Sequence, residues 1–163
     1  MKQRYHLRGR EVRPERMHMT LLSLGWYDSY DDDLAAWAAR AAGDVHLPAF
    51  GVRLNRCMSF RGRQGDRPLV LCGDAQGVAG FTGLYRELFE ALGAHMREGA
   101  PTHMVPDITP HMTLLYSPGE VEPQATEPLS WTVGEFQLLH NKRGSPGPYQ
   151  LLGRWKLGGA RRH

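Results

Sequence analysis

Cysteine is nearly absent from this chain, which has only Cys57 and Cys72 among its 163 residues. The two do not form a Cys-x-x-Cys pair, so the pattern disfavours a structural zinc site and favours two reduced core residues. No run approaches the roughly 18 apolar residues that a membrane-spanning helix requires. The first residues, Met1–His6, lead into no apolar segment, so we expect no secretory signal and a cytoplasmic location.

A strong charge of either sign is also missing. The chain has 20 lysines and arginines against 17 aspartates and glutamates, a formal net charge of +3. Dedicated nucleic-acid-binding proteins usually carry a basic stripe, whereas the arginines here are scattered in small clusters. The charge therefore only weakly favours a phosphate-bearing substrate.

The length and composition predict a single soluble domain over residues 1–163 with mixed helices and strands. A helix is expected over Asp32–Ala42, where an aspartate run can cap an apolar stripe, and a longer helix over Val78–Arg97. Strands at Phe50–Phe60 and Leu69–Cys72 should form a hairpin around a polar turn. A second hairpin is predicted from Trp131–His140 and Tyr149–Leu157.

The most informative feature is an internal repeat. The string His18-Met19-Thr20-Leu21-Leu22 recurs unchanged as His111–Leu115. Its separation is too long for a solenoid repeat, so the sequence predicts two half-domains that each contribute one equivalent strand. No linker or low-complexity stretch divides the chain.

The repeat places chemistry on one face of each predicted strand. Side chains in a strand alternate between faces, so His18 and Thr20 share a face, as do His111 and Thr113. Two imidazoles around a phosphate can act as base and acid in an in-line displacement. The threonine hydroxyls can donate hydrogen bonds to the non-bridging oxygens, so this chemistry requires no metal.

A single His-x-Thr tripeptide carries almost no information, because such sequences are common in ordinary strands. Duplication changes this interpretation, since packing explains the methionines and leucines but not the paired histidines and threonines. Two alternatives stay open at this point. One is a protein that binds RNA ends or nucleotides without turnover, and the other is a metal-dependent hydrolase that uses His18 and His111 as ligands.

The duplicated motif resembles that of the 2H phosphoesterase superfamily, in particular the bacterial 2′-5′ RNA ligase / RNA 2′,3′-cyclic phosphodiesterase branch. The resemblance extends to the segments Arg13–Leu21, Thr109–Tyr116 and Tyr149–Leu157. It implies an α+β, two-lobed fold in which pseudo-twofold related antiparallel sheets surround a central cleft and helices lie outside. Members usually begin with a further strand and helix, and we expect these to be missing here because only 17 residues precede His18. The lobe is then trimmed, completed by a partner chain, or preceded by sequence upstream of residue 1. An open sheet edge would invite pairing with a second copy, so the expected state is a monomer or a weak homodimer.

The resemblance also implies the activity and the site. Family members hydrolyse 2′,3′-cyclic phosphates on RNA ends or nucleotides to 2′-phosphates, and some carry out 2′-5′ RNA ligation; no cofactor, metal or membrane is expected. Carried over by position, His18 and His111 are catalytic, as acid and base respectively, and Thr20 and Thr113 bind the phosphate. Tyr116 stands where some relatives have a basic residue that lines the cleft, so it is a candidate substrate contact. Small cyclic phosphates remain alternative substrates.

Overall fold

The structure, a computed structural model, describes residues 8–62, 66–95, 108–142, 144–145 and 147–158. Within them lie two α-helices and seven β-strands. The helices are α1 (Asp32–Gly43) and α2 (Ala79–Ala94), and a short 3₁₀ turn covers Pro14–Arg16. The strands are β1 (Arg10–Glu11), β2 (Phe50–Ser59), β3 (Arg67–Cys72), β4 (His111–Ser117), β5 (Gln124–Val133), β6 (Glu135–His140) and β7 (Gln150–Lys156). None of the helices in this part of the chain is long and apolar enough to cross a membrane.

Helix α1 confirms the predicted helix and its cap. The Asp31 carboxylate accepts a hydrogen bond from the backbone N–H of Leu34 at 2.8 Å, so one of the unpaired donors of the first turn is satisfied. Leu34, Trp37, Ala38 and Ala41 are all buried, as the apolar stripe predicts. The helix therefore follows from local sequence signals alone.

Helix α2 confirms the longer predicted helix, although it begins at Ala79, one residue later than expected. Its buried residues recur at helical spacing: Phe81, Leu84, Tyr85, Leu88 and Leu92. The helix ends at Ala94 and His95 is in a turn, so it stops before the predicted end at Arg97, a residue that lies outside the described ranges.

Five strands form one antiparallel sheet in the order β1-β4-β3-β2-β5, and β6 pairs with β7 in a second sheet. The predicted hairpin of β2 and β3 is confirmed, with Cys57 opposite Leu71. The second hairpin differs from the prediction, because the segment predicted as Trp131–His140 is two strands. β5 ends at Val133 in the five-stranded sheet, and β6 begins at Glu135 in the other. The chain changes sheet at Gly134, a residue without a side chain to hold it in either.

The chain divides into two compact units. Unit 1 comprises the residues up to Thr20, Val52–Ala79 and Thr109–Trp131, and unit 2 comprises Leu21–Gly51, Gly80–Ile108 and the residues from Thr132 onwards. In unit 1 the strands bury a core that includes Leu54, Cys57, Leu69, Val70 and Leu115. In unit 2 the helices α1 and α2 share a core with Phe136 and Leu157. Helices and antiparallel sheets in this arrangement confirm the predicted α+β class.

Candidate functional site

Strand β4 carries the second motif. Leu115 is only 1% exposed and anchors the strand in the core of unit 1, whereas His111 and Thr113 are half-buried. On one side β4 pairs with β3, where Cys72 is opposite His111 and Val70 is opposite Thr113. Both side chains of the motif therefore stand on a rigid, well-packed strand.

The first motif lies along the other side of β4, but it is not the full strand that the sequence predicted. Only Met19 pairs with β4, through an isolated antiparallel bridge to Met112. Strand β1, which precedes the motif in the chain, pairs with the same edge of β4. The 3₁₀ turn that begins at Pro14 then interrupts this pairing before Met19. Proline has no N–H to give to a ladder, which accounts for the interruption. The histidine and threonine of both motifs therefore lie in unit 1, while Leu21 and Leu22 belong to unit 2; the sequence predicted that each of two half-domains would contribute one equivalent strand.

The bridge determines which side chains are neighbours. The bridge itself pairs only Met19 with Met112; extending its antiparallel geometry by one residue each way sets His18 opposite Thr113 and Thr20 opposite His111. In β4, His111 and Thr113 point to the face opposite Met112, and the same alternation about Met19 would turn His18 and Thr20 to that face. We call these four residues, His18, Thr20, His111 and Thr113, the His/Thr array. Directly opposite side chains in such a pair have Cβ atoms about 4.5–5.5 Å apart, and diagonal neighbours such as the two histidines lie about 7–8 Å apart.

Both imidazoles of the array are held in the same way. His18 Nδ1 lies 2.7 Å from the carbonyl oxygen of Arg16, and His111 Nδ1 lies 2.7 Å from that of Thr109. A carbonyl oxygen only accepts hydrogen bonds, so Nδ1 must carry the proton in both rings. Each neutral ring then has its lone pair on Nε2, so any proton exchange with a substrate would take place at that nitrogen. His46 makes the same bond to Asp44 at 2.8 Å, so the bond alone does not mark a site.

His111 has an aromatic ring and a thiol among its neighbours in unit 1. The Phe60 ring packs against the imidazole, with ring centroids 4.8 Å apart. Burial raises the pKa of the neighbouring Cys72 thiol, and this effect outweighs the nearby Arg56, which lowers it. A neutral, buried thiol is a poor nucleophile, so Cys72 fits a packing role beside the array.

Tyr116 reaches the same face through a β-bulge. Leu69 pairs with Leu115 and Val70 with Thr113, so one residue of β4, Leu114, is extra. Tyr116 is opposite Pro68. Pro68 and Val70 lie two positions apart in β3, so their side chains point to the same face. Tyr116 therefore stands on the face of Thr113. Simple alternation along the sequence would have put it on the other face, and nothing in the local sequence indicates the bulge.

Sequence reasoning missed Arg10, which lies opposite Tyr116 in β1. Its guanidinium carbon lies 5.3 Å from the centroid of the Tyr116 ring, within range of a cation–π contact. Within the described ranges, no three or more histidine, cysteine, aspartate or glutamate side chains are grouped so that they could hold a metal ion.

Comparisons with known proteins give one consistent family. The model of the 2′-5′ RNA ligase superfamily matches residues 2–145. A crystal structure of a phosphoesterase is 25% identical, with a TM-score of 0.67 over 96% of this chain and 88% of its own. E. coli LigT complexed with NADP⁺ is 25% identical, with a TM-score of 0.66 over 93% of this chain and 82% of its own. TT0787 of Thermus thermophilus is 25% identical, with a TM-score of 0.68 over 92% and 82%. No curated protein sequence matches the chain.

Proposed function

This chain belongs to the 2′-5′ RNA ligase superfamily of 2H phosphoesterases, and from that premise we propose that it opens 2′,3′-cyclic phosphates on RNA ends without a metal. The products are a 2′-phosphate and a free 3′-hydroxyl. The observation that supports this most is the bridge between Met19 and Met112, which brings the two motifs side by side, each with its imidazole held by the same Nδ1 bond.

The array matches the requirements of in-line attack. His111 acts as base and takes a proton from water as the water oxygen attacks phosphorus. The bond from phosphorus to the 3′ oxygen breaks, and His18, which starts as an imidazolium, gives its Nε2 proton to that oxygen. A diagonal spacing of about 7–8 Å leaves room for a phosphate between the rings. Proton exchange with solvent then restores both histidines.

Thr20 and Thr113 complete the site by donating hydrogen bonds to the two non-bridging oxygens. Negative charge remains on these oxygens through the transition state, so donors fixed beforehand lower its energy. In this proposal the hydroxyls take the place that a metal ion or an arginine has in other phosphoryl-transfer enzymes.

The same site is suited to ligation, in which a ribose 5′-hydroxyl takes the place of water as the nucleophile, the bond from phosphorus to the 3′ oxygen breaks as before, and a 2′-5′ linkage forms. Smaller substrates also fit, because a cyclic phosphate presents the same atoms to the array on a nucleotide as on an RNA end. The nucleotide NADP⁺ bound to E. coli LigT is in keeping with either size of substrate.

The test is hydrolysis of an oligonucleotide that ends in a 2′,3′-cyclic phosphate, with EDTA present. We expect turnover by the wild type and a loss of roughly 10²–10⁴-fold or more in His18→Ala and in His111→Ala. His46→Ala is a matched control, since His46 makes the same Nδ1 bond outside the array, and it should keep full activity.

Each other outcome rejects a definite part of the proposal. Turnover that EDTA abolishes would mean a metal-dependent hydrolase. A folded wild type that binds the RNA end without turning it over would be a binding protein. Turnover retained in either array variant would remove the two-histidine mechanism.

A further inference from the structure

Arg10 and Tyr116 form a second feature on the face of the His/Thr array. The bulge at Leu114 brings Tyr116 to this face, and the pairing of β1 with β4 brings Arg10 beside it. The Tyr116 ring is half-buried and Arg10 is exposed, so the guanidinium rests on a fixed aromatic surface and faces solvent.

Arg10 differs from the other arginines of unit 1 in what its guanidinium contacts among the described residues. Three other arginines of unit 1 are paired with carboxylates: Arg13 with Glu15, Arg53 with Asp74 and Arg67 with Glu120. In the part of the chain that the structure describes, Arg10 has no carboxylate partner and contacts the Tyr116 ring instead. A guanidinium that lies over a ring keeps N–H donors at its edge, and these fit the oxygens of a phosphate.

Along the direction of β3, the pair of Arg10 and Tyr116 lies next to the His/Thr array. Tyr116 is opposite Pro68 and Thr113 is opposite Val70, so the two rows are separated by two residues of β3, or about 7 Å. A group bound at Arg10 is therefore displaced from a phosphate at the array on the scale of one nucleotide.

We propose that Arg10, positioned by Tyr116, binds the phosphate on the 5′ side of the nucleotide whose cyclic phosphate is opened. The occupant is a phosphate and not a base, because Arg10 already covers the Tyr116 ring on its side and offers charged donors. This inference rests on the proposed function. It makes the protein selective for substrates with a 5′ phosphate, whether an RNA end or a 5′-phosphorylated nucleoside 2′,3′-cyclic phosphate.

The experiment compares adenosine 2′,3′-cyclic phosphate with and without a 5′-phosphate. For the wild type we expect kcat/KM to be roughly 10-fold or more higher with the 5′-phosphate, the value of one hydrogen-bonded charge contact. Arg10→Ala should remove this preference by raising KM for the phosphorylated substrate alone, and kcat should change little because the contact is distant from the reacting atoms.

Control variants separate binding from a structural effect. Arg13→Ala removes an exposed arginine from the same segment, one that is paired with Glu15, and should keep the preference. Tyr116→Phe retains the ring and should keep it, whereas Tyr116→Leu should lose part of it. Thermal unfolding of each variant checks that the fold is intact.

The outcomes separate the two proposals. Wild type that hydrolyses neither these substrates nor the cyclic-phosphate oligonucleotide overturns the proposed function, and wild type that hydrolyses the oligonucleotide alone overturns the proposed selectivity for 5′-phosphorylated nucleosides. Wild type that hydrolyses both equally, or Arg10→Ala that keeps the preference, overturns the phosphate subsite and leaves the proposed function intact.

Discussion

Replacing Thr113 by valine tests whether the hydroxyls of the array stabilise the transition state. The change exchanges a hydroxyl for a methyl group of similar size on β4, and valine is a favourable strand residue. The strand is fixed by Leu115 in the core, so the imidazole of His111 should keep its place. The variant therefore removes one hydrogen-bond donor and little else.

The loss of kcat expected for each variant depends on how far its threonine is buried. Removing one preorganised donor to a developing charge costs about 10²–10³-fold in kcat, or about 2.7–4 kcal/mol. Thr113 is half-buried, so water has limited access to replace it, and Thr113→Val should fall within that range. Thr20 is exposed, so Thr20→Val should lose less. The double variant should lose less than the product of the single losses, because the two hydroxyls hold one phosphate.

The assay is steady-state hydrolysis of the cyclic-phosphate oligonucleotide, with thermal unfolding measured in parallel. Thr126→Val is a matched control, since Thr126 is also half-buried in a strand of unit 1 and lies outside the array. A Thr113→Val variant within a few-fold of wild type, or a Thr20→Val variant that loses more than Thr113→Val, would refute the reasoning.

Three further predictions concern pH and stability. The pH profile of kcat/KM should be bell-shaped between about pH 5 and 8, because one array imidazole must be neutral and the other protonated; a flat profile contradicts the mechanism. Asp31→Ala removes the cap on the N–H of Leu34 and should lower the free energy of unfolding by about 1 kcal/mol, read from urea titration. The N–H of Gly77 donates a hydrogen bond to the Asp74 carboxylate and lowers its pKa more than any other partner of Asp74 does. Asp74 therefore stabilises the fold at pH values above its unfolded-state pKa, and this stabilisation is lost as the pH falls through its folded-state pKa. Asp74→Asn should therefore be less stable at neutral pH and lose less stability on acidification, and a variant whose stability follows the wild type at every pH would contradict this.

Local signals explain why much of the fold was predictable. The Asp31 cap, the apolar stripe of α1 and the spacing along α2 are all read within a few residues of chain, and the structure confirms them. The break at Gly134 was missed, because the residues on either side of it both favour strands. Whether they join one sheet or two depends on partners far away in the sequence.

In the candidate site, too, the features set by local sequence were predictable and those set by distant partners were not. The duplicated motif is enough to predict the four residues of the His/Thr array, and strand alternation predicts that each pair shares one face. The side-by-side pairing through Met19 and Met112 was not predictable, because it depends on how far the 3₁₀ turn displaces the chain along β4. The position of Tyr116 depends on a bulge set by β3, and the role of Arg10 depends on Tyr116.

The matched carbonyl bonds to Nδ1 of His18 and His111 have a consequence for the direction of the reaction. Two rings held alike can exchange the parts of proton donor and proton acceptor without any rearrangement of the chain. By microscopic reversibility, a site of this kind lowers the barrier equally for opening and for closing the phosphodiester. Whether a cyclic phosphate is hydrolysed or joined to a second strand would then be decided by which nucleophile, water or a ribose 5′-hydroxyl, reaches the phosphorus, and not by which histidine is the base.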